Sequence, residues 1–342
     1  MGDEPDARTL AEAGELEALA RILPLLPAGD ALVGPGDDAA VVPAPDGRFV
    51  VTTDTMLEGA DFRLGWSSWH DLGWKAVATN LIDVAAMGAR PTSLVVALAV
   101  PPATRVADLE DLARGLADGV AAMAPGCGVV GGDLGTAAAA VVAVTAFGDL
   151  EGRAAVLRSG ARPGDELWVV GRLGHAAAGL ARLFAEGVDA EGAEDPAAVA
   201  RLRAEDPRIA AQLAPVSPVA AGTRLADLGA TAMLDVSDGL ALDAARIARA
   251  SGARILLDAA AVARAAEGAP LEAALHGGED HALLLTVPAG TAMPAELGGH
   301  VVRRIGHVEA GAPSVQLGDR RCRRAAGIPT AAARRRARAR GS

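Results

Sequence analysis

Residues 50–62 read VVTTDTMLEGADF: two valines, then Thr52-Thr53-Asp54, then Glu58-Gly59 and a second acid at Asp61. Valine and threonine favour an extended backbone, so the stretch opens as a strand. The apolar run stops where the oxygen-bearing side chains begin, which places Asp54 at a strand end beside two hydroxyls. Similar runs recur along the chain. RFVVTTDT (48–55), TSLVVALAV (92–100), GVVGGD (128–133) and AVVAVTAFG (140–148) occupy the first half, and DELWVVG (165–171), ATAMLDVS (230–237), ARILLD (253–258) and HALLLTV (281–287) the second.

Helical patterns lie between these runs. Residues 69–87, WHDLGWKAVATNLIDVAAM, follow a capping-box-like start at Ser68 and Asp71 and precede Gly88 and Pro91, which suit a helix C-terminus and a stop. Ala76, Asn80, Asp83 and Met87 share one face of this helix, and a polar pair on an apolar face requires partners. A second helix begins in SDGLALDAARIARASG (237–252), with Leu240, Ala244, Ile247 and Ala248 as its buried stripe and Gly252 as its stop. Alternating strands and helices define an α/β (α+β) chain. The Gly/Arg-rich passage from Gly148 to Asp165 marks a boundary. We therefore expect an N-terminal sheet domain over 1–150, a C-terminal α/β domain over 151–325 and a basic, disordered tail over 326–342.

With 342 residues the chain has room for two cores. It has no tyrosine and only 2% aromatic residues, so aromatic stacking cannot be its main mode of ligand recognition. The net charge of −11 conceals a body of −20, because nine arginines and no acids follow Asp319. Such a body repels nucleic acids and anionic membranes and must recruit cations to handle phosphates. Neither nucleic acid nor membrane is expected as a partner. The only cysteines, Cys127 and Cys322, form neither a disulfide scaffold nor a zinc site, which fits a reducing, cytoplasmic setting. The acidic start is unlike a secretory leader, and the longest run of small apolar residues, Thr136–Phe147, is too short to span a bilayer.

Five segments combine acids with glycine or hydroxyl residues: GPGDDAAVV (Asp37, Asp38), TTDT (Asp54), NLIDVAAMG (Asp83), GGDLG (Asp133) and LDVSDG (Asp235, Asp238). Each alone reads as a turn or a helix cap. Together, and without basic partners nearby, they suit a hard cation such as Mg²⁺, which takes oxygen ligands and keeps water and phosphate in its shell. Glycines at 34, 36, 131, 132, 277 and 278 would let backbone approach phosphate. Lys75 is the only lysine, which excludes a Walker A loop and a protein-kinase strand lysine. No Ser-His-Asp or Cys-His arrangement can be argued, against a covalent hydrolase. His281, beside Glu279 and Asp280, is the one histidine in a suggestive place, and it suits an ordinary core or surface position equally well.

These segments, in order, resemble the thiamine-monophosphate kinases. Their superfamily also holds aminoimidazole ribonucleotide synthase, the hydrogenase maturation dehydratase and selenophosphate synthetase. The matching pieces are GELEALARI, GPGDDAAVV, TTDTMLEGADF, DLGWKAVATNLIDVAAMGARP, VVGGD, LRSGARPGD, DVSDGLALDAARIA and GGEDHALLLTVP. The resemblance implies ATP-dependent phosphorylation of thiamine monophosphate to the diphosphate by direct in-line transfer with several Mg²⁺ ions. It also implies a homodimer paired through its N-terminal sheets. By motif position, Asp38, Thr52, Thr53, Asp54, Asp83, Asp133, Asp235 and Asp238 are similar to metal ligands, with Asp54, Asp83 and Asp133 closest to the chemistry. Gly132, Asp133, Arg158 and Ser237 fall at nucleotide contacts, and Asp61, Glu279 and Ile328 at acceptor contacts.

The chain departs from the family pattern on the acceptor side. Asp61 stands where the family carries His, Leu134-Gly135 replace two threonines, APVSPVA (214–220) lacks two arginines, and Ile328 replaces an aromatic residue. Two alternatives stay open: an ATP-dependent enzyme of the same superfamily with another small acceptor, and a non-catalytic nucleotide-binding protein.

Overall fold

A computed structural model describes residues 7–35, 39–318 and 320–322. The chain divides into two compact units. The first runs up to Val84 and resumes from Pro91 to Asp149; the second takes Ala85–Arg90 and everything from Leu150 on.

The first unit contains helices α1 (Leu10–Ala13), α2 (Glu15–Ile22), α3 (Trp69–Ala86) and α4 (Val106–Met123), and strands β1 (Val50–Leu57), β2 (Arg90–Val100), β3 (Gly128–Thr136) and β4 (Val141–Asp149). The strands form one sheet in the order β1-β4-β2-β3, so β1 and β3 are its edges. β1 runs antiparallel to β4, from Val50 opposite Gly148 to Leu57 opposite Val141. β2 and β3 are parallel, and α4 makes the crossover that such a pair needs.

The start of α3 is a reciprocal cap: Ser68 N donates to Asp71 Oδ2 at 3.1 Å and Asp71 N to Ser68 Oγ at 3.0 Å. Its end is Gly88, at φ +73°, whose N–H donates to Ala85 O. Leu72, Val77, Leu81, Ile82 and Val84 on α3 are fully buried. α4 comes against the start of α3 through Gly115, where a Cβ would lie 2.0 Å from the carbonyl oxygen of His70.

One expectation is corrected here. β1 does not stop at Asp54 but continues through Leu57, making Asp54 the fifth of eight residues, and Asp133 likewise sits inside β3. Thr55 and Leu57 are exposed, yet Met56 is 6% exposed and the ladder to β4 runs to the last residue. Backbone pairing, not side-chain polarity, sets the length of the strand.

The second unit contains α5 (His175–Glu186), α6 (Pro196–Glu205), α7 (Pro207–Leu213), α8 (Ala221–Asp227), α9 (Leu240–Ser251), α10 (Ala259–Ala265) and α11 (Leu271–His276). Its strands are β5 (Glu166–Val170), β6 (Ala232–Val236), β7 (Arg254–Leu257), β8 (Ala282–Val287), β9 (Glu296–Leu297), β10 (His300–Glu309), β11 (Ser314–Leu317) and β12 (Arg320–Arg321). The sheet order is β12-β11-β7-β10-β5-β8-β6, with β9 paired to β10. Only β11 and β7 run parallel among these pairs. Leu167, Leu234, Leu240, Ile247, Leu284 and Ile305 share its core. Strands β10 and β11 escaped the sequence reading: Arg303-Arg304 and a register shift before Gly306 break the alternation that marks a strand. Among the described residues no helix is long and apolar enough to cross a membrane.

Candidate active site

In the first unit the oxygens gather where edge strand β1 meets α3. Thr52 Oγ1 donates to Asp83 Oδ2 at 3.1 Å. Alternation puts the Thr52 and Asp54 side chains on the same face of β1 and Thr53 on the other. Accordingly the Thr53 hydroxyl serves the sheet: it donates to Val144 O at 3.0 Å and accepts from Thr145 Oγ1 at 3.2 Å. Asp54 is exposed, and its Oδ1 accepts locally, from Thr55 N at 2.8 Å. One turn before Asp83, buried Asn80 donates to Ala76 O at 2.9 Å, while its Oδ1 has no hydrogen-bond partner among the described residues.

Asp133 lies elsewhere. It is exposed on β3, opposite Ala97, at the other edge of the sheet from Asp54. With two strands between them the lateral separation is roughly 14 Å, so one ion cannot touch both carboxylates of the same chain. Gly132 is required where it is, because a Cβ there would lie 2.1 Å from Val96 O on β2. Gly131–Leu134 form part of the wall of a cavity of about 510 Å³ whose other walls include Leu19, Ile22, Leu98 and Leu112.

The second unit carries its own polar cluster where β6 ends and α9 begins. Asp235 is 6% exposed, Ser237 half-buried and Asp238 exposed. Asp238 N donates to Asp243 Oδ2 at 3.0 Å, and the Arg246 guanidinium bridges the carboxylates of Asp238 and Asp243. Burial pushes the Asp243 carboxyl up to about 6 in spite of Arg246 and the Asp238 amide, which favour its charged form. Against this loop lies a second one, residues 277–281. Glu279 N donates to Ser237 O at 2.8 Å, and the Glu279 carboxylate accepts from the Gln212 amide. Asp280 accepts from Gly174 N and from Ala176 N at 3.1 Å at the start of α5, yet burial holds its carboxyl up at about 6. Arg158 is exposed, and its carbonyl accepts from Ser251 Oγ at 3.0 Å.

Asp38 and Ile328 lie outside the described residues. Asp61 supports the local backbone, since its Oδ2 accepts from Leu57 N at 2.8 Å and closes the turn after β1, while Glu58 accepts from Ala140 N at 2.8 Å. Sequence reasoning missed Gln212 and the Asp243–Arg246 pair. The i, i+3 spacing of that pair, five residues beyond Asp238, was the available signal.

No group of three or more His, Cys, Asp or Glu side chains converges to cage a metal among the described residues. The donors present fit Mg²⁺ nonetheless, since that ion uses one or two carboxylates and fills its shell with water and phosphate. The Thr52–Asp83 pair and the orphaned Asn80 oxygen offer such a partial set.

Each sheet unit carries exposed carboxylates, Asp54 and Asp133 in the first and Asp238 in the second. Residues 36–150 match the family described as AIR synthase related protein, N-terminal domain, and residues 162–318 its C-terminal domain. A thiamine-monophosphate kinase of Mycobacterium tuberculosis is 45% identical over 273 residues, covering 76% of this chain and 77% of that protein. The crystal structure of thiamine-monophosphate kinase from Stenotrophomonas maltophilia K279a superposes with a TM-score of 0.72 at 31% identity, covering 89% of this chain and 95% of that one. AaThiL complexed with AMPPCP and TMP superposes at 0.68 with 29% identity, covering 92% and 96%. The chain belongs to the AIR synthase related proteins and, within them, to the thiamine-monophosphate kinase family.

Proposed function

We propose that this protein transfers the γ-phosphoryl group of ATP to the phosphate of thiamine monophosphate, giving thiamine diphosphate and ADP. The observation that supports the reading is the Thr52–Asp83 hydrogen bond at the β1–α3 junction, with Asp54 two residues along the same face of β1, in a chain 45% identical to a thiamine-monophosphate kinase. An acceptor phosphate oxygen is anionic at neutral pH and attacks the γ-phosphorus directly; the bond to the β-phosphate oxygen breaks and ADP leaves. No protein base is needed, which agrees with a cluster of acids and hydroxyls lacking a catalytic histidine pair.

The obstacle is repulsion between two polyanions. Mg²⁺, when bound, would neutralise the phosphates and draw them into line. The chain itself has to hold the ions and the nucleotide. Asp54, Asp83 and Thr52 would do so at one sheet edge, Asp133 with the Gly132 backbone at the other, and Asp235 with Asp238 at the start of α9; Asp38 completes the proposed set, whereas the Thr53 hydroxyl is engaged by the sheet. Arg158 and Ser237 would contact the nucleotide, and Glu279, steadied by Gln212, the acceptor. The hydrogen bond from Leu57 N makes Asp61 a loop-closing residue first, so its departure from the family pattern favours an unchanged acceptor.

A homodimer accounts for an edge strand with exposed apolar residues: Val51 and Leu57 on β1 are 53% and 46% exposed, and Phe49 just before it 59%. The use of ATP as co-substrate supports a cytoplasmic location. The test is chromatography of a reaction with ATP, Mg²⁺ and thiamine monophosphate. Diphosphate that forms only with Mg²⁺ supports the reading; ATP binding without diphosphate means another acceptor, and ATP binding without ADP release from any acceptor means a non-catalytic binder.

A further inference from the structure

We propose that His281 is a positioning residue that acts through Asp235, orienting its carboxylate for the cation that accompanies the nucleotide. The proposal rests on the reading of Asp235 as a metal ligand.

His281 is 6% exposed, and among the described residues neither ring nitrogen has a hydrogen-bond partner. Two orphaned nitrogens in one buried ring require an explanation, because buried polar groups are otherwise paired. The ring faces a carboxylate that can answer it. His281 Nδ1 lies 3.7 Å from Asp235 Oδ2, with both side chains 7% exposed. An approach of about half an ångström turns that contact into a hydrogen bond.

The backbone holds the ring there at a cost. His281 has φ +48° and Glu279 φ +68°, left-handed conformations that non-glycine residues avoid. Such strain persists only where the surroundings impose it. Here three sets of bonds do so: Glu279 N to Ser237 O at 2.8 Å, His281 N to Val236 O at 3.0 Å, and the Asp280 carboxylate on the first N–H groups of α5. The strand that carries Asp235 and the loop that carries His281 are thereby locked together. An outer partner that fixes a ligand's orientation is worth about 10–100-fold in metal affinity.

The experiment is calorimetric binding of a non-hydrolysable ATP analogue across a Mg²⁺ titration, on wild type, His281→Ala, His281→Asn and Asp235→Asn, with circular dichroism to check folding. Alanine removes the ring and has no donor; asparagine tolerates the left-handed backbone and carries an amide donor on Cγ, at the position of Nδ1. We expect His281→Ala to raise the Mg²⁺ concentration at half-maximal binding by about 10-fold or more, to leave Mg²⁺-free binding unchanged, and asparagine to recover most of the loss. Wild-type behaviour of His281→Ala beside a weakened Asp235→Asn overturns the positioning role alone. Wild-type behaviour of both overturns the ligand reading of Asp235 as well. A loss of thermal stability and of Mg²⁺-free binding with no shift of the Mg²⁺ midpoint, or His281→Ala and His281→Asn both failing to fold, assigns the ring to packing and overturns the proposal.

Discussion

The Thr52 hydroxyl on β1 and the Asp83 carboxylate on α3 are joined by a 3.1 Å hydrogen bond, so the sheet edge and the helix present their oxygens as one group. Loss of the carboxylate charge in Asp83→Asn is expected to lower the rate of diphosphate formation by about 10²–10³-fold. Thr52→Val is expected to lose about 10-fold, and Thr52→Ser little. Steady-state rates beside unchanged circular dichroism check this; a wild-type rate for Asp83→Asn removes Asp83 from the site.

Asp243 has no exposed surface and its negative charge faces Arg246. Removing it in Asp243→Ala leaves the guanidinium with Asp238 alone and deprives Asp238 N of its acceptor. Breaking a buried pair from one side costs about 3 kcal/mol. Urea unfolding should show that loss, whereas Arg246→Lys should retain part of the stability.

Gly115 on α4 is expected to reject even one methyl group, since a Cβ would sit 2.0 Å from a backbone oxygen of α3. Gly115→Ala should lower stability by about 1–3 kcal/mol, read as a fall in melting temperature. An unchanged melting temperature would show that the two helices can part without penalty.

The carboxyl of Asp280, raised to about 6 by burial, makes a pH prediction. Between its ordinary value of 3.8 and about 6 the folded chain holds a proton here that the unfolded chain has released. Its contribution to stability therefore falls as pH rises through that window and stays low above it. Relative to wild type, Asp280→Asn should be more favourable at about pH 7.5 than at about pH 4.5, by about 1–2 kcal/mol. Equal differences at both pH values would contradict it.

Much of this molecule was legible in the order of its residues. Strands such as Glu166–Val170 and Ala282–Val287, and α9 with its Gly252 stop at φ +66°, follow from β-branched runs, helical spacing and glycine, all of which act over a few neighbours. The acids at Asp54, Asp83, Asp133 and Asp235 were visible for the same reason: carboxylates beside glycines and hydroxyls are a local pattern. Which of them meet is not a local property. Strand order places Asp54 and Asp133 at opposite edges of one sheet, and only the β1–α3 contact unites Thr52 with Asp83. Local polarity suggested the end of β1 at Asp54, but pairing with β4 carried it to Leu57. Likewise the Gln212–Glu279 bond, the Asp243–Arg246–Asp238 bridge and the approach of His281 to Asp235 join groups that the fold alone brings into reach. Sequence determined the chemistry available to this protein; tertiary structure decided its groupings, because hydrogen bonds and ion pairs form at about 3 Å regardless of distance along the chain.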